Sequence, residues 1–117
     1  MTQSTRPRII PIFLGHTQDR VAIVETQLTR FAGEGRPVQV GFYGASFLGL
    51  GVDERQRLLR ELTPFVSSGR IAGIRVTADP SDVLPDSAAE LQSGGVCVVE
   101  LNVCSMNDDV LDLARRR

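Results

Sequence analysis

Lysine does not occur in this chain; all thirteen of its basic residues are arginine. That absence removes a lysine Schiff base, a lysine general base and a Walker-type phosphate loop, each of which needs an ε-amino group. Histidine occurs once, as His16. His-rich metal sites are therefore excluded, and a Ser–His or Cys–His pair would have to use that one imidazole. Tryptophan is missing, and aromatic residues make up 5% of the chain. Cysteine occurs twice, as Cys97 and Cys104. Two thiols are too few for a secreted disulfide framework, and their spacing is not the C-x-x-C of a redox pair or zinc knuckle. An excess of either charge is lacking too, since thirteen basic residues stand against fourteen acidic ones. That balance argues against a nucleic-acid partner. No apolar run reaches the roughly 18–20 residues of a membrane span, and the leading MTQSTRPR is polar. The expectation is a cytoplasmic protein with reduced thiols and neither a nucleic-acid nor a membrane partner.

What is present is the material of one domain over residues 1–117, at 42% hydrophobic and 23% charged. A chain of this length can bury about two thirds of its extended surface, enough for a core without staples. Residues 8–14 (RIIPIFL) form a short apolar run that fits a buried strand, and Pro11 within it points to a sheet edge. Over 18–32, Val21, Val24, Leu28 and Phe31 recur at helical spacing, with Thr17 or Asp19 as cap and Gly33 and Gly35 beyond the end. Residues 37–43 (PVQVGFY) alternate as a second strand. A glycine-rich turn, Gly44 to Gly51, leads to a helix from near Asp53 whose apolar face is Leu58, Leu59, Leu62, Phe65 and Val66. Pro64 is expected to kink it and Gly69 to close it. A third strand is expected over 71–77, a short helix around 86–93 and a fourth strand over 96–103. Ser105 then caps a last helix carrying Met106, Val110, Leu113 and Ala114, with Asp108 as a weak capping box. The closing Arg115-Arg116-Arg117 suits the negative end of that helix's dipole.

The sum is β-α-β-α-β-α-β-α, an α/β chain with a parallel sheet and right-handed crossovers. Such a (βα)₄ unit could be a small open sheet with helices on both faces or half of a (β/α)₈ barrel. In either, ligands belong at the carboxyl ends of the strands. Those ends are Gly15-His16-Thr17, Gly44-Ala45-Ser46, Thr77-Ala78-Asp79 and Asn102 to Ser105.

Four stretches in order, RIIPIFLGHT, VQVGFYGASFLGL, GRIAGIRVTADPSDVL and GVCVVELNVCSMNDDVL, cover nearly the whole chain. Together they resemble the radical S-adenosylmethionine (SAM) enzymes, in the branch of the Elongator catalytic subunit and oxygen-independent coproporphyrinogen oxidase. The resemblance implies a TIM-like barrel of radical SAM type, here half or partial. Members carry a C-x-x-x-C-x-x-C loop after the first strand, then F-Y-G-G-S-F, S-T-R-P-D and E-L-G-V-Q-S-M-D segments after the next three. This chain departs from that pattern. Gln18-Asp19-Arg20 follow His16-Thr17 at once, with no cysteine before Val96. The cluster loop is missing, and two later cysteines are too few for a usual [4Fe–4S] site. Alanine stands at position 45, the Thr77–Pro80 segment lacks an arginine, and Asn102 and Cys104 replace a glycine and a glutamine. About two of the usual six βα units are absent.

These departures imply no iron–sulfur cluster and no metal, while SAM binding stays compatible with the pocket residues. Ligand contacts would come from His16, Thr17, Tyr43, Gly44, Ser46, Asp79, Asn102 and Cys104; no catalytic residue is assigned. The first expectation is a cluster-less, non-catalytic remnant acting as an interaction or small-molecule-binding module. The alternative is a SAM- or nucleotide-binding enzyme doing polar chemistry with His16, Ser46 or Cys104; a reading frame that folds but does nothing is a third. Cys97 reads as a small buried apolar residue. Glu100, inside an apolar strand, needs a counter-charge, for which Arg75 on the neighbouring strand is the candidate. An incomplete barrel has two open sheet edges, so the partners expected are further copies of the chain, or another protein, docked at those edges.

Overall fold

The computed structural model describes residues 6–15 and 18–102, together with the backbone of 109–112. The elements are β1 (Arg8–Phe13), α1 (Arg20–Phe31), β2 (Val38–Tyr43), α2 (Val52–Ser67), β3 (Gly73–Ala78), α3 (Ser87–Ser93), β4 (Val96–Leu101) and β5 (Asp109–Asp112). One-turn 3₁₀ helices at Phe47–Gly49 and Pro80–Asp82 begin the loops after β2 and β3. The strands lie side by side in sequence order. β1 to β4 pair in parallel, and β5 pairs antiparallel with β4.

Strand parity explains the layers. Ile10, Ile12, Val38, Val40, Phe42, Ile74, Val76 and Ala78 are spaced by two and all buried. They therefore share one face of the sheet. Val24 of α1, Leu58, Leu62 and Phe65 of α2, and Leu91 of α3 join them in a single core. All three helices thus bury their apolar stripes against the same face, as right-handed crossovers between strands in sequential order require. β4 breaks the spacing: Val96 and Val99 are both buried although three apart. The register slips between Ile74 and Arg75, leaving Cys97 as the extra residue of a bulge. That extra residue lets both valines reach the core.

Local signals act as their chemistry suggests. Asp19 caps α1, its carboxylate accepting from the Ala22 N–H at 3.0 Å. Gly69, at φ +77°, turns the chain beyond α2 in the left-handed region. Pro64 does not interrupt α2, which continues to Ser67. Val21, expected on the apolar stripe of α1, is exposed; Val24 fills the core, with Ile23, Leu28 and Phe31 half-buried beside it.

The largest correction concerns the chain's end. Val110 was expected in a helix, yet Asp109–Asp112 form β5. A four-residue segment is too short to establish a period, and here the unpaired N–H and C=O groups along the outer edge of β4 take it as a strand. The sheet is therefore mixed, and the β4 edge is not open. Ser105, Met106, Leu113 and Ala114, also assigned to that helix, lie outside the described residues.

Arginine forks tie the layers together. Arg20 of α1 donates to both carboxylate oxygens of Glu61 of α2 at 2.6 and 2.8 Å. Arg55 of α2 grips Glu90 of α3 at 2.7 and 2.9 Å and donates to the Leu50 carbonyl at 2.6 Å. A planar guanidinium can hold two or three acceptors at once, which an ammonium cannot do in the same geometry. Its hydrogen bonds to Glu61 and Glu90 hold both carboxyls below their ordinary range.

Candidate functional site

Loops at the carboxyl ends of β2, β3 and β4 meet through one small polar group. Gly44, at φ +96°, turns the chain out of β2, and its exposed backbone leads to Ser46. Ser46 Oγ donates to Asp82 Oδ2 at 2.7 Å and accepts from the Asp79 N–H at 3.0 Å. The hydroxyl therefore stitches the loop after β2 to the loop after β3. Asn102 Nδ2 donates to Asp79 Oδ1 at 3.4 Å, and the Asn102 N–H donates to the Ala78 carbonyl at 2.8 Å. The end of β4 is thereby joined to the same group. Thr77 Oγ1 donates to the Ala45 carbonyl at 3.2 Å, a further link between β3 and the loop after β2. Chemically this is a brace. The serine proton is engaged by a carboxylate, and one of the oxygen's lone pairs by a backbone amide.

Of the residues expected here, Ser46, Asp79 and Asn102 are brought together and Gly44 stands at the entrance. Tyr43 turns elsewhere: a Cβ on Gly41 would lie 2.7 Å from its ring, so the ring folds back over Gly41 on the sheet face opposite the helices. Burial raises its phenol above the ordinary value, an effect that the nearby Arg75 opposes and Glu100 reinforces. His16, Thr17 and Cys104 lie outside the described residues. Asp82 is not among the residues expected from the sequence to face a ligand. No local pattern links it to Ser46, since the loops carrying them meet only in the fold.

The sheet face opposite the helices carries the other polar cluster. Arg75 Nη2 lies 3.3 Å from Glu100 Oε1, the pair expected from the sequence. Arg75 Nη1 donates to Gln39 Oε1 at 3.3 Å, and Gln39 Nε2 donates to Cys97 Sγ at 3.6 Å. Cys97 is half-buried rather than buried, and its sulfur occupies the space above Gly73. It stands near the amino end of β4, away from the carboxyl-end loops. Among the described residues, no group of three or more His, Cys, Asp or Glu side chains is arranged to hold a metal ion. Nor, among them, is any helix long and apolar enough to cross a membrane. No protein-family model, no curated protein and no solved structure matches the chain.

Proposed function

We propose that this chain is a sector of a parallel βα barrel, similar in frame to radical SAM cores, that works as a non-catalytic interaction module. The barrel reading is supported by strands in sequential order with every described helix on one side. In a closed barrel the other face would line the interior. The observation that carries the non-catalytic reading is the engagement of Ser46. A nucleophile needs a lone pair free to attack, whereas the Ser46 oxygen accepts from the Asp79 amide and its hydroxyl is tied into the loop by Asp82. The residues do not fit a [4Fe–4S] centre, which takes a set of converging cysteine thiolates. Cys97 lies within β4 with Gln39 against its sulfur, so no step through a cluster is assigned.

The test is calorimetric titration of the purified chain with SAM, alongside anaerobic reconstitution with iron and sulfide. The module reading expects no heat of SAM binding and no brown, iron-loaded protein. Micromolar SAM binding that weakens in Ser46→Ala would favour instead an enzyme using SAM in polar chemistry. Retained iron would overturn the cluster-less reading altogether.

A further inference from the structure

Resting on the reading as an interaction module, we infer that the partner is a second copy of this chain, held head to tail. The loop over residues 79–86 of one copy enters a cleft at the opposite end of the next. Because the two surfaces lie at opposite ends of the strands, each copy offers both and neither surface meets itself.

The cleft, about 480 Å³, lies at the amino end of the sheet, where the end of α1, the start of β2 and the turn after α2 meet. Leu28, Phe31 and Val38 give it an apolar lining, and Arg36 and Arg70 bring two cations to it. Arg36 is half-buried, and its Nε donates to the Arg6 carbonyl at 3.0 Å. Among the described residues no carboxylate pairs with its guanidinium. Arg70 is paired with Glu25 at 2.7 Å, but both side chains are about half exposed. The Arg8 guanidinium lies 4.8 Å from the centre of the Phe31 ring, which closes that face of the ring to a stacked nucleobase. Carboxylates set about an apolar anchor fit this lining better than a nucleic acid does.

The carboxyl end of the same chain presents that combination. Leu84 is the most exposed large hydrophobic side chain among the described residues, at 65%. Asp82 and Asp86 stand two residues to either side of it. Ser46 engages only one oxygen of Asp82, and Asp86 makes no capping bond to α3. The backbone between them is fixed. The Leu84 N–H donates to Oγ of the buried Ser87 at 2.9 Å, and the Leu84 carbonyl accepts from the Ser87 N–H at 2.9 Å. A leucine already held out by an ordered loop loses little further freedom when a cleft receives it.

Charge supports the pairing beyond these residues. Around the cleft, Arg6, Arg8, Arg30, Arg36 and Arg70 outnumber Glu25, Glu34 and, on the far edge strand, Asp112. At the carboxyl end, Asp53, Glu54, Asp79, Asp82, Asp86 and Asp109 outnumber Arg55 and Arg57, with Asp19 and Arg20 cancelling. The net charge of −1 conceals this polarity, which orients one copy on the next. Residues 1–5 and 113–117 contain no acidic side chain, so neither segment brings the cleft one. Residues 103–108 contain Asp108, but they are bracketed by Asn102 and Asp109 at the other end of the sheet. A loop seated in one cleft is a contact below the roughly 1,200 Å² of stable pairs, so the association is weak and reversible.

Sedimentation velocity of the full chain over low to high micromolar concentration tests this. The wild type should form species that grow past the dimer, as a head-to-tail contact allows, and that dissociate at high salt. Leu84→Ser removes the anchor and Arg36→Glu reverses the charge of the cleft; each alone should weaken association at least tenfold. Mixed in equal amounts, the two variants should give a dimer and nothing larger. The Leu84→Ser copy keeps an intact cleft and the Arg36→Glu copy an intact loop, so one contact can form. Far-UV circular dichroism establishes that each variant is folded. Variants that associate like the wild type, a mixture that stays monomeric, or a wild type that stops at a dimer would each overturn the head-to-tail contact. A wild type that stays monomeric throughout, as when another acidic chain fills the cleft, overturns self-docking alone, because the SAM and iron tests of the module reading do not depend on it.

Discussion

Ser46→Ala should loosen the strand-end loops without unfolding the domain. The substitution removes a hydroxyl that donates to Asp82 at 2.7 Å and accepts from the Asp79 amide at 3.0 Å. A hydrogen bond to a charged group contributes about 1.5–3 kcal/mol and a neutral one about 0.5–1.5. Asp79 is exposed and Asp82 half-buried, so water replaces much of what is lost, and roughly 1.5 kcal/mol is the expected local cost. That amounts to about a tenfold rise in the open population of the loop, since 1.4 kcal/mol is one decade. Because the lost contacts lie in two loops, global stability should fall by less than about 1 kcal/mol. Amide hydrogen exchange read by NMR separates the two. The Asp79, Asp82 and Val83 amides, the latter two bonded to Asp79 O and Pro80 O, should exchange faster while those of β2 and β3 keep their protection. Ser46→Thr retains the hydroxyl on an extended backbone, φ −69° and ψ 116°, and should behave as wild type. Unchanged exchange at Asp79 in Ser46→Ala would falsify the brace.

Three further outcomes follow from the packing. Arg55→Lys cannot hold Glu90 and the Leu50 carbonyl together; with Glu90 partly exposed it should cost about 2 kcal/mol, or roughly 6–8 °C in the thermal midpoint by circular dichroism, against nearly no change if the fork were ornamental. Glu61 and Glu90 have carboxyls lowered by Arg20 and Arg55, so their contribution is present above the ordinary carboxyl value near 4.5 and is lost as pH falls through the lower folded values. Urea midpoints measured between neutral and acid pH should therefore decline, less steeply in Glu90→Gln. Tyr43 is the one tyrosine in the sequence, so ultraviolet absorbance titrates it alone. Its ionisation should fall above the ordinary value of 10 in the folded protein, stability should drop as pH rises through it, and Gly41→Ala, whose Cβ displaces the ring, should return it towards 10.

Much of the frame was legible along the chain because its causes are local. Alternation in VQVGFY and the spacing of Val24, Leu58, Leu62 and Phe65 report which side each element buries. Pro11 announced an edge strand because its missing donor is tolerated there. The Arg75–Glu100 pair could be anticipated because a charge in an apolar strand must be matched and neighbouring strands offer few candidates. Of the strand-end group, Ser46, Asp79 and Asn102 were found as loop residues at predicted strand ends, but not as members of one brace.

By itself, the sequence determined the order of helices and strands from β1 to β4, the buried sides of β2 and α2, and the glycine turns. Each depends on residues within a few positions of one another, where side-chain periodicity and backbone preference act directly. The tertiary structure alone decided that residues 109–112 pair as a strand, that Cys97 bulges to bring both valines inward, and that Asp82 accepts the hydrogen bond of the Ser46 hydroxyl. Those outcomes depend on which groups far apart in sequence are left unsatisfied when the sheet is assembled, and no local pattern carries that information.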